Sequence, residues 1–430
     1  VGYLSVHREL PVLRRSHANQ PPSEIAQYCV EASVKQLQNE STHHLLMAAT
    51  LFTGKFSTEA VAHVAALAYQ PTDIDKEFSS LHRLSLVNKL DSIYYSMHAF
   101  TQDFVKAKLD QNLAFKQEAQ ERWITWYIDF LEPFSDYWCD WQDYSQLETE
   151  WSNIRALVNW CMEAGEYEAA KTLWQGLQSY VMERGYWDEC QDWMNSLMIM
   201  AKQRDDKNVL VEAMFYKGQA LIRTDETDTG GTALQLFKDA WALTTQENSD
   251  IRFGTLTYIA AINIKRNQFA EARTWLDKRK QLKSVSQLSQ ARQQCILYYY
   301  TAEIALRQQK YEEAENSYRK ALTFAKKTEW EKLSVYCKAW LATTLLKKGQ
   351  LNEAEVLITF ALESAKSHKD RRSVANCYYN LALLAEKREQ VDSFCDWTSL
   401  AKNEFEALGM TIAVNQMNHW LDVKHSTDAG

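Results

Sequence analysis

The sequence predicts an all-α protein with one small β-hairpin, most of it a solenoid of stacked helical hairpins. Its 430 residues include only 12 Gly and 5 Pro. All five prolines lie before residue 134, so the last 297 residues lack a residue that commonly marks turns between strands. A short pattern also recurs about every forty residues through the second half of the chain. A period of this length favours helical hairpins stacked in a row.

The recurring pattern is centred on one position near the start of one helix in each predicted pair. Most copies have a small residue at this position. Its clearest copies are Tyr311–Ala314 and Leu351–Ala354, with Phe269–Ala272 close behind. The equivalent positions, 39 to 43 residues apart, are Cys190, Ala233, Ala272, Ala314, Ala354 and Phe394. Six copies that agree in phase predict a regular array, and the alternative is an irregular helical bundle.

Two further sets of small residues keep step with this pattern. One set lies in the preceding helix, at Gly218, Ala260, Ala302, Ala342 and Ala382. The other follows the first set by seven residues, at Ala240, Ala321, Ala361 and Ala401. Seven residues are about two helical turns, so these alanines share a face. Small side chains on that face allow paired helices to approach closely.

Residues 187–422 therefore resemble the tetratricopeptide repeat superfamily, with residues 423–430 as a tail. The family's usual period is about 34 residues, so each helix here is expected to be longer by about three residues. Asp225–Gly231 is predicted to insert three extra residues at one corner.

Residues 41–110 predict three helices followed by a hairpin, which is the order of a winged helix. The predicted elements are helices over 45–52, 57–68 and 73–84, and strands over 85–90 and 93–97. A hydroxyl of Ser41 or Thr42 is expected to cap the first helix, Gly54 to end it, and Ser57 to open the second.

The same region resembles the winged-helix module of NB-ARC or STAND-type signalling ATPases. Leu51–Phe56, Leu81–Val87 and Ser96–Phe104 carry the resemblance, together with Glu148–Leu157 in the Trp-rich link that follows. In that family a nucleotide-binding domain precedes the winged helix and a repeat array follows it. The resemblance implies that residues 1–40 end a helical subdomain, that 111–186 form a linker, and that a nucleotide-binding domain is missing from this chain.

His98 is the one position to which the resemblance gives a cofactor role. Met97 and His98 match the first two positions of the family's Met-His-Asp motif, and Ala99 replaces the Asp. The resemblance implies that His98 contacts the β-phosphate of ADP in the complete protein, which would bind ADP or ATP. Within this chain no cofactor is expected, and His98 is expected to be a partly buried histidine bonded to a backbone carbonyl.

Composition and charge narrow the remaining classes of function. A net charge of −8 disfavours a nucleic-acid partner, and the third predicted helix offers Asp73, Asp75 and Glu77 against Lys76 and Arg83. Eight cysteines without a C-x-x-C pair are expected to be reduced thiols in a cytoplasmic protein. No apolar stretch is long enough to predict a helix that spans a membrane. No catalytic set and no metal site can be recognised.

The segment Asp129–Trp151 contains seven acidic residues and neither Lys nor Arg, with aromatic residues between them. It could form a cage for a cationic partner. We favour the alternative that the aromatic residues pack two helices together while the acids point to water.

The leading hypothesis is a sensor module whose repeat groove binds a protein or small effector and relays that event to a nucleotide-binding domain. The alternatives are a DNA-binding transcription regulator and a free-standing scaffold. The first helix of each pair should line the groove, over 208–224, 250–265, 288–308, 331–347 and 371–387. The predicted partner-binding residues are Tyr258, Tyr299, Arg307, Tyr336, Lys338, Tyr379 and Asn380.

Overall fold

The computed structural model describes residues 22–135, 141–225, 228–244, 249–282 and 287–428. Within them lie 20 α-helices, one short 3-10 helix and a three-stranded sheet. The chain divides into two compact units. The first contains residues up to 135 and 144–177, and the second contains residues 141–143 and those from 178 onwards.

The first unit combines short helices with a small antiparallel sheet. Its elements are α1 (Pro22–Lys35), α2 (Glu40–Ala49), β1 (Lys55–Ser57), α3 (Thr58–Val64), α4 (Pro71–Arg83), β2 (Asn88–Lys89), β3 (Tyr94–Ser96), α5 (Ala99–Gln111), α6 (Leu113–Leu131), the 3-10 helix Glu132–Phe134, α7 (Ser145–Ala164) and the start of α8 (Tyr167–Arg184).

The sheet has the strand order β1-β3-β2, with both pairs antiparallel. The predicted hairpin of β2 and β3 is present, but β1 was missed because its residues were assigned to a loop and a helix start. Phe56 of β1 lies opposite Tyr95 of β3, and the Tyr95 ring packs against Phe78 of α4 with centroids 4.8 Å apart. The three aromatic side chains are fully buried and form the core between sheet and helices.

The predicted helix ends in this unit were only partly right. Ser57 caps α3 as expected, because its hydroxyl accepts a hydrogen bond from the Ala60 backbone N–H at 3.1 Å. Helix α2 ends at Ala49, so Gly54 is not its cap. Gly54 has φ of +147°, and a Cβ added there would lie 3.1 Å from Ser152 Oγ. The glycine therefore permits a close approach to α7. Thr42 does not cap α2, since its hydroxyl bonds to the carboxylate of Glu77.

The acidic segment is only partly solvent-facing. Glu150 is buried, and its Oε2 accepts hydrogen bonds from Tyr127 Oη at 2.7 Å and from Asn153 Nδ2 at 3.0 Å. The expectation that its acids point to water is wrong at this position. Asp129, Glu132, Asp143 and Glu148 are exposed. Tyr137 and Trp138 lie outside the described residues.

The second unit is built from pairs of antiparallel helices. After the end of α8 come α9 (Trp187–Gln203), α10 (Lys207–Thr224), α11 (Thr232–Leu243), α12 (Ser249–Lys265), α13 (Phe269–Lys280), α14 (Gln287–Arg307), α15 (Tyr311–Lys327), α16 (Glu331–Lys348), α17 (Leu351–Ser367), α18 (Arg371–Lys387), α19 (Val391–Ala407) and α20 (Thr411–Asp428). We call α10, α12, α14, α16 and α18 the inner helices, and α11, α13, α15, α17 and α19 the outer helices. Helix α20 extends through most of the predicted tail.

The small residues of the repeat pattern lie where the prediction placed them. Every alanine of the three sets is completely buried between neighbouring helices. Gly218 of α10 is the extreme case, since an added Cβ would lie 2.8 Å from Cζ of Phe237 on α11. Inner helices also pack on one another, as α16 does on α18. The predicted helical repeats are therefore confirmed.

The corners between helices explain why the chain needs so little glycine. Gln309, Glu329, Lys369 and Glu389 each adopt φ between 53° and 60°, a left-handed conformation that glycine usually takes. The residue after each donates its N–H to a carbonyl five residues earlier, as Lys310 does to Ala305 at 2.9 Å. This bond closes the helix end. Residues with polar side chains thus occupy left-handed positions at which glycine would be expected from the sequence.

The predicted insertion Asp225–Gly231 lies between α10 and α11, and its residues 226 and 227 lie outside the described residues. The buried carboxylate of Asp228 accepts hydrogen bonds from the backbone N–H groups of Ala233 at 2.9 Å and Leu234 at 2.8 Å. The same carboxylate pairs with Arg266 at 3.3 Å. The insertion therefore supplies the acidic group that caps α11.

None of the described helices combines the length and the apolar character needed to span a bilayer.

Candidate functional site

The inner helices of the second unit surround a cavity of about 750 Å³. Side chains of α10, α12, α14, α16 and α18 provide most of its lining, and residues of α8 and α20 also contribute. The volume lies in the range of about 300–1,000 Å³ typical of small-molecule sites. We refer to this space as the inner cavity.

Contacts between distant parts of the second unit limit the size of the inner cavity. The Trp187 indole donates a hydrogen bond to the Leu408 carbonyl at 3.2 Å. Lys332 of α16 forms an ion pair of 2.7 Å with Glu183 of α8. Both contacts join the first helices of the unit to later repeats. The repeat array therefore closes on itself beside the cavity.

Aromatic side chains dominate the lining. Twelve aromatic residues face the cavity: Trp187, Phe215, Tyr216, Phe253, Tyr258, Tyr299, Tyr300, Trp330, Tyr336, Trp340, Tyr379 and Phe405. Tyr258 is held by the ring of Phe237, stacked at 5.3 Å, and by a hydrogen bond of 2.9 Å from its hydroxyl to Gln219 Oε1. Rings fixed in this way give a large contact area at little cost in conformational entropy.

The charge of the lining is opposite in sign to that of the chain. Six basic residues face the cavity: Arg223, Lys265, Arg279, Arg307, Lys332 and Arg372. Four acidic residues do so: Glu183, Asp250, Glu303 and Asp370. The lining therefore carries a formal charge of +2, whereas the chain carries −8. An excess of positive charge in a partly enclosed, aromatic cavity favours anionic ligands.

Arg279 is the most deeply buried cation of this set, with 2% of its surface exposed. Its Nε donates to Thr257 Oγ1 at 2.7 Å and its Nη1 to the Gln293 carbonyl at 3.1 Å. Burial lowers the pKa of Arg279 to about 10. Among the described residues, no carboxylate forms an ion pair with this guanidinium. Sequence reasoning missed Arg279 because it lies on an outer helix, between Lys278 and Lys280. The signal that could have found it is the repeat itself, since Arg279 follows Ala272 by seven residues, the position of a buried alanine in four other copies.

Five of the seven residues predicted to line the groove lie on the inner cavity: Tyr258, Tyr299, Arg307, Tyr336 and Tyr379. Asn380 is buried between α16 and α18, where its amide donates to the Ala339 carbonyl at 3.1 Å and accepts from Thr343 at 2.7 Å. The Lys338 ammonium lies 3.6 Å from the ring centroid of Phe360 on outer helix α17. The predicted groove positions of Asn380 and Lys338 are wrong, since both face neighbouring helices. Partner binding by the other five stays a prediction.

His98 immediately precedes the first residue of α5 and is exposed. The expectation of a partly buried histidine bonded to a backbone carbonyl is wrong, because at the start of this helix the side chain reaches solvent. Its contact with ADP in a complete protein stays a prediction.

The titratable groups of the described residues give no sign of a metal centre or an activated thiol. No group of three or more His, Cys, Asp or Glu is placed to hold a metal ion in the described part of the chain. Burial raises the pKa of the thiols of Cys161 and Cys377 to about 12. Thiols of this kind are poor nucleophiles at neutral pH.

No protein-family model matches this sequence, and no curated protein sequence matches it. Solved structures do. A Signal Transduction ATPase with Numerous Domains (STAND) protein with a tetratricopeptide repeat sensor, from Pyrococcus horikoshii, matches 96% of this chain at 14% identity and a TM-score of 0.56. This chain spans 61% of that protein's length.

Two further structures match less well. The apo quorum sensor NprR from B. thuringiensis has a TM-score of 0.45 and 13% identity, over 75% of this chain and 99% of that one. A Rap protein complexed with competence and sporulation factor has a TM-score of 0.44 and 14% identity, over 95% of this chain and 99% of that one. The fold of this chain is an all-α, tetratricopeptide-like solenoid with few strands.

Proposed function

We propose that this chain is the sensor part of a signal-transduction protein and that it binds a short peptide or another small effector in the inner cavity. The observation that carries the proposal is the cavity itself, with twelve aromatic residues and about 750 Å³ of space. A structural neighbour with the same fold is described as a STAND protein with a tetratricopeptide repeat sensor.

The size of the cavity favours a small effector over a folded protein. A folded partner would need an interface of about 800 Å² on each side, which a partly closed cavity does not offer. A short peptide or small molecule can be surrounded on most of its surface. We therefore narrow the expected partner from a protein or small effector to a peptide or small effector.

A variant that fills the cavity tests this proposal. Ala261 of α12 lines the cavity, whereas Ala270 of α13 is exposed on the outer surface. An equimolar library of random pentapeptides is passed over the immobilised 430-residue chain, and retained peptides are identified by mass spectrometry. We expect retention by the wild type and by Ala270→Trp, and its loss in Ala261→Trp. Equal retention by both variants would place the peptides outside the cavity and refute the proposal.

We further propose that helices α2, α3 and α4 with the three-stranded sheet form a winged helix of the NB-ARC or STAND type. The order of three helices and a hairpin supports this, as does the resemblance of Ser96–Phe104 to the family. In such a protein a nucleotide-binding domain would precede the winged helix. His98 is exposed and so would be available to the β-phosphate of ADP.

ADP binding by the complete protein tests this second part. A charge-assisted hydrogen bond contributes about 1.5–3 kcal/mol, so His98→Ala should weaken ADP binding by about ten- to a hundredfold in calorimetry. The same change in the 430-residue chain should leave peptide retention unaltered. An unchanged ADP affinity in the complete protein would remove the nucleotide role of His98.

A further inference from the structure

We infer that the inner cavity recognises a carboxylate of its ligand through Arg279, an assignment that rests on the proposed function. The ligand class is an organic carboxylate with an apolar or aromatic body, such as a short peptide with a free C-terminus. Three features carry the inference: a buried guanidinium on the cavity wall without a carboxylate partner, the way this guanidinium is held, and the positive charge of the lining.

Arg279 is a cation without a counter-ion among the described residues. Two lysines of the lining differ from it, since Lys332 pairs with Glu183 at 2.7 Å and Lys265 with Glu303 at 3.7 Å. Burying a charge without an opposite charge is unfavourable. A ligand carboxylate would supply the missing charge, so binding an anion relieves a cost that the unliganded protein carries.

The guanidinium is also held in one orientation. The Thr257 hydroxyl donates to the Phe253 carbonyl at 2.7 Å, which leaves its oxygen lone pairs for Arg279 Nε. The Phe253 ring lies against the guanidinium, 5.5 Å from its central carbon, and the Gln293 carbonyl accepts from Nη1. Nη2 donates to no described residue. A planar guanidinium fixed on one edge offers its remaining N–H groups in the geometry that a carboxylate accepts.

The neighbourhood of Arg279 suits the rest of such a ligand. Tyr300 lies near both Arg279 and Arg223. Burial raises the pKa of the Tyr300 hydroxyl, and the two guanidinium groups oppose this rise. Phe253 and Ile296 also face the cavity. A carboxylate at Arg279 would therefore be attached to a body that lies among aromatic and aliphatic side chains.

Two probes that differ only in charge test the inference. The dissociation constants of 2-naphthoate and of the uncharged 2-naphthamide are measured by calorimetry on the 430-residue chain. We expect the carboxylate to bind about 10- to 100-fold more tightly, as a hydrogen bond to a charged group predicts. In Arg279→Met this preference should fall to about one. Arg279→Lys should keep a smaller preference, because lysine retains the charge without the fork.

The matched control is Arg388→Met, which removes a guanidinium that pairs with Glu355 and lies outside the cavity. It should keep the preference of the wild type. A wild type that binds both probes equally would overturn the carboxylate site but leave the proposed function standing. A preference that persists in Arg279→Met would assign the anion to another cation and overturn the inference. If neither probe binds, the inference fails, whereas the proposed function is decided separately by the retention of pentapeptides.

A measurement on the wild type alone does not depend on how the variants fold. Crystals soaked with 4-iodobenzoate give the position of the iodine by anomalous scattering. We expect the carboxylate within hydrogen-bond distance of the Nη atoms of Arg279. A probe bound in the cavity with its carboxylate directed elsewhere would overturn the inference.

Discussion

Inner and outer helices of the same repeat differ in how their buried residues are distributed around the helix, as α16 and α17 illustrate. Helix α16 buries ten of its 18 residues, and these are spread around its whole circumference. Helix α17 buries four of its 17 residues, Ala354, Ile358, Ala361 and Ala365, all on one side. Its opposite side exposes Val356 and Phe360. An outer helix thus has one buried face, while an inner helix is packed between its partner, the neighbouring repeats and the cavity.

The difference assigns separate tasks to the two kinds of helix. Most buried residues of the outer helices, such as the alanines of the repeat pattern, hold the pairs together. Inner helices contribute to packing and also supply most of the cavity lining. Changes on outer helices away from the cavity should therefore alter stability without altering ligand binding, and changes at the cavity lining should do the reverse. Arg279 of α13 and Phe405 of α19 are outer-helix residues that belong to the lining.

The largest effect is expected for Ile358→Ala on α17. Ile358 is completely buried, and truncating such a residue to alanine costs about 2–5 kcal/mol. Urea denaturation followed by circular dichroism measures the loss. The control is Val356→Ala on the same helix, where 68% of the residue is exposed and the change should stay within about 0.5 kcal/mol. Comparable losses in both variants would show that α17 does not have a single buried face.

A second, smaller loss is expected when the close contact between paired helices is overfilled. Ala354 is completely buried, and Ala354→Leu should cost about 1–3 kcal/mol because the added side chain forces the helices apart. Since each repeat contacts mainly its neighbours, the loosening should be confined to residues near α17 in hydrogen exchange. The exposed Ala270 serves as a control through Ala270→Leu. Faster exchange throughout the second unit would contradict a repeat architecture.

The same contrast explains how much of the fold could be predicted. The buried alanines of outer helices recur about every forty residues, and this spacing is visible because several copies agree in phase. Strand β1 could not be predicted, because Lys55–Ser57 is too short to show an alternating pattern and it pairs with β3, about forty residues away. Gly54 was misassigned for a related reason. Its surroundings include Ser152, about a hundred residues away, and local sequence does not reveal this.

The site was less predictable than the fold. Tyr258, Tyr299, Tyr336 and Tyr379 of the inner helices lie on the cavity, and their role in binding stays a prediction. Residue type alone does not decide this, since Tyr298 and Tyr378 of inner helices pack against Phe324 and Trp397 of outer helices. Asn380 and Lys338 lie on the same helices but face sideways and outward, which their residue type does not indicate. Residues of α8 and α20 reach the cavity because the array closes on itself. Arg279 reaches it from an outer helix, held by Thr257 of α12 and Gln293 of α14. Closure depends on contacts such as Trp187 with Leu408, more than 200 residues apart.

The smallest effect is expected for Lys338→Met, which tests the boundary between the two kinds of surface on a single helix. Lys338 lies over the Phe360 ring, and partial burial lowers the pKa of its ammonium. A contact between a cation and an aromatic ring at a partly exposed site contributes about 0.5–1 kcal/mol, so thermal unfolding should show a loss of that size.

Tyr336, two residues earlier on α16, lines the cavity. Tyr336→Ala should therefore reduce pentapeptide retention, whereas Lys338→Met should not. A reduction by Lys338→Met as large as that of Tyr336→Ala would mean that ligands reach the outward side of α16, and the separation of tasks between inner and outer surfaces would no longer hold.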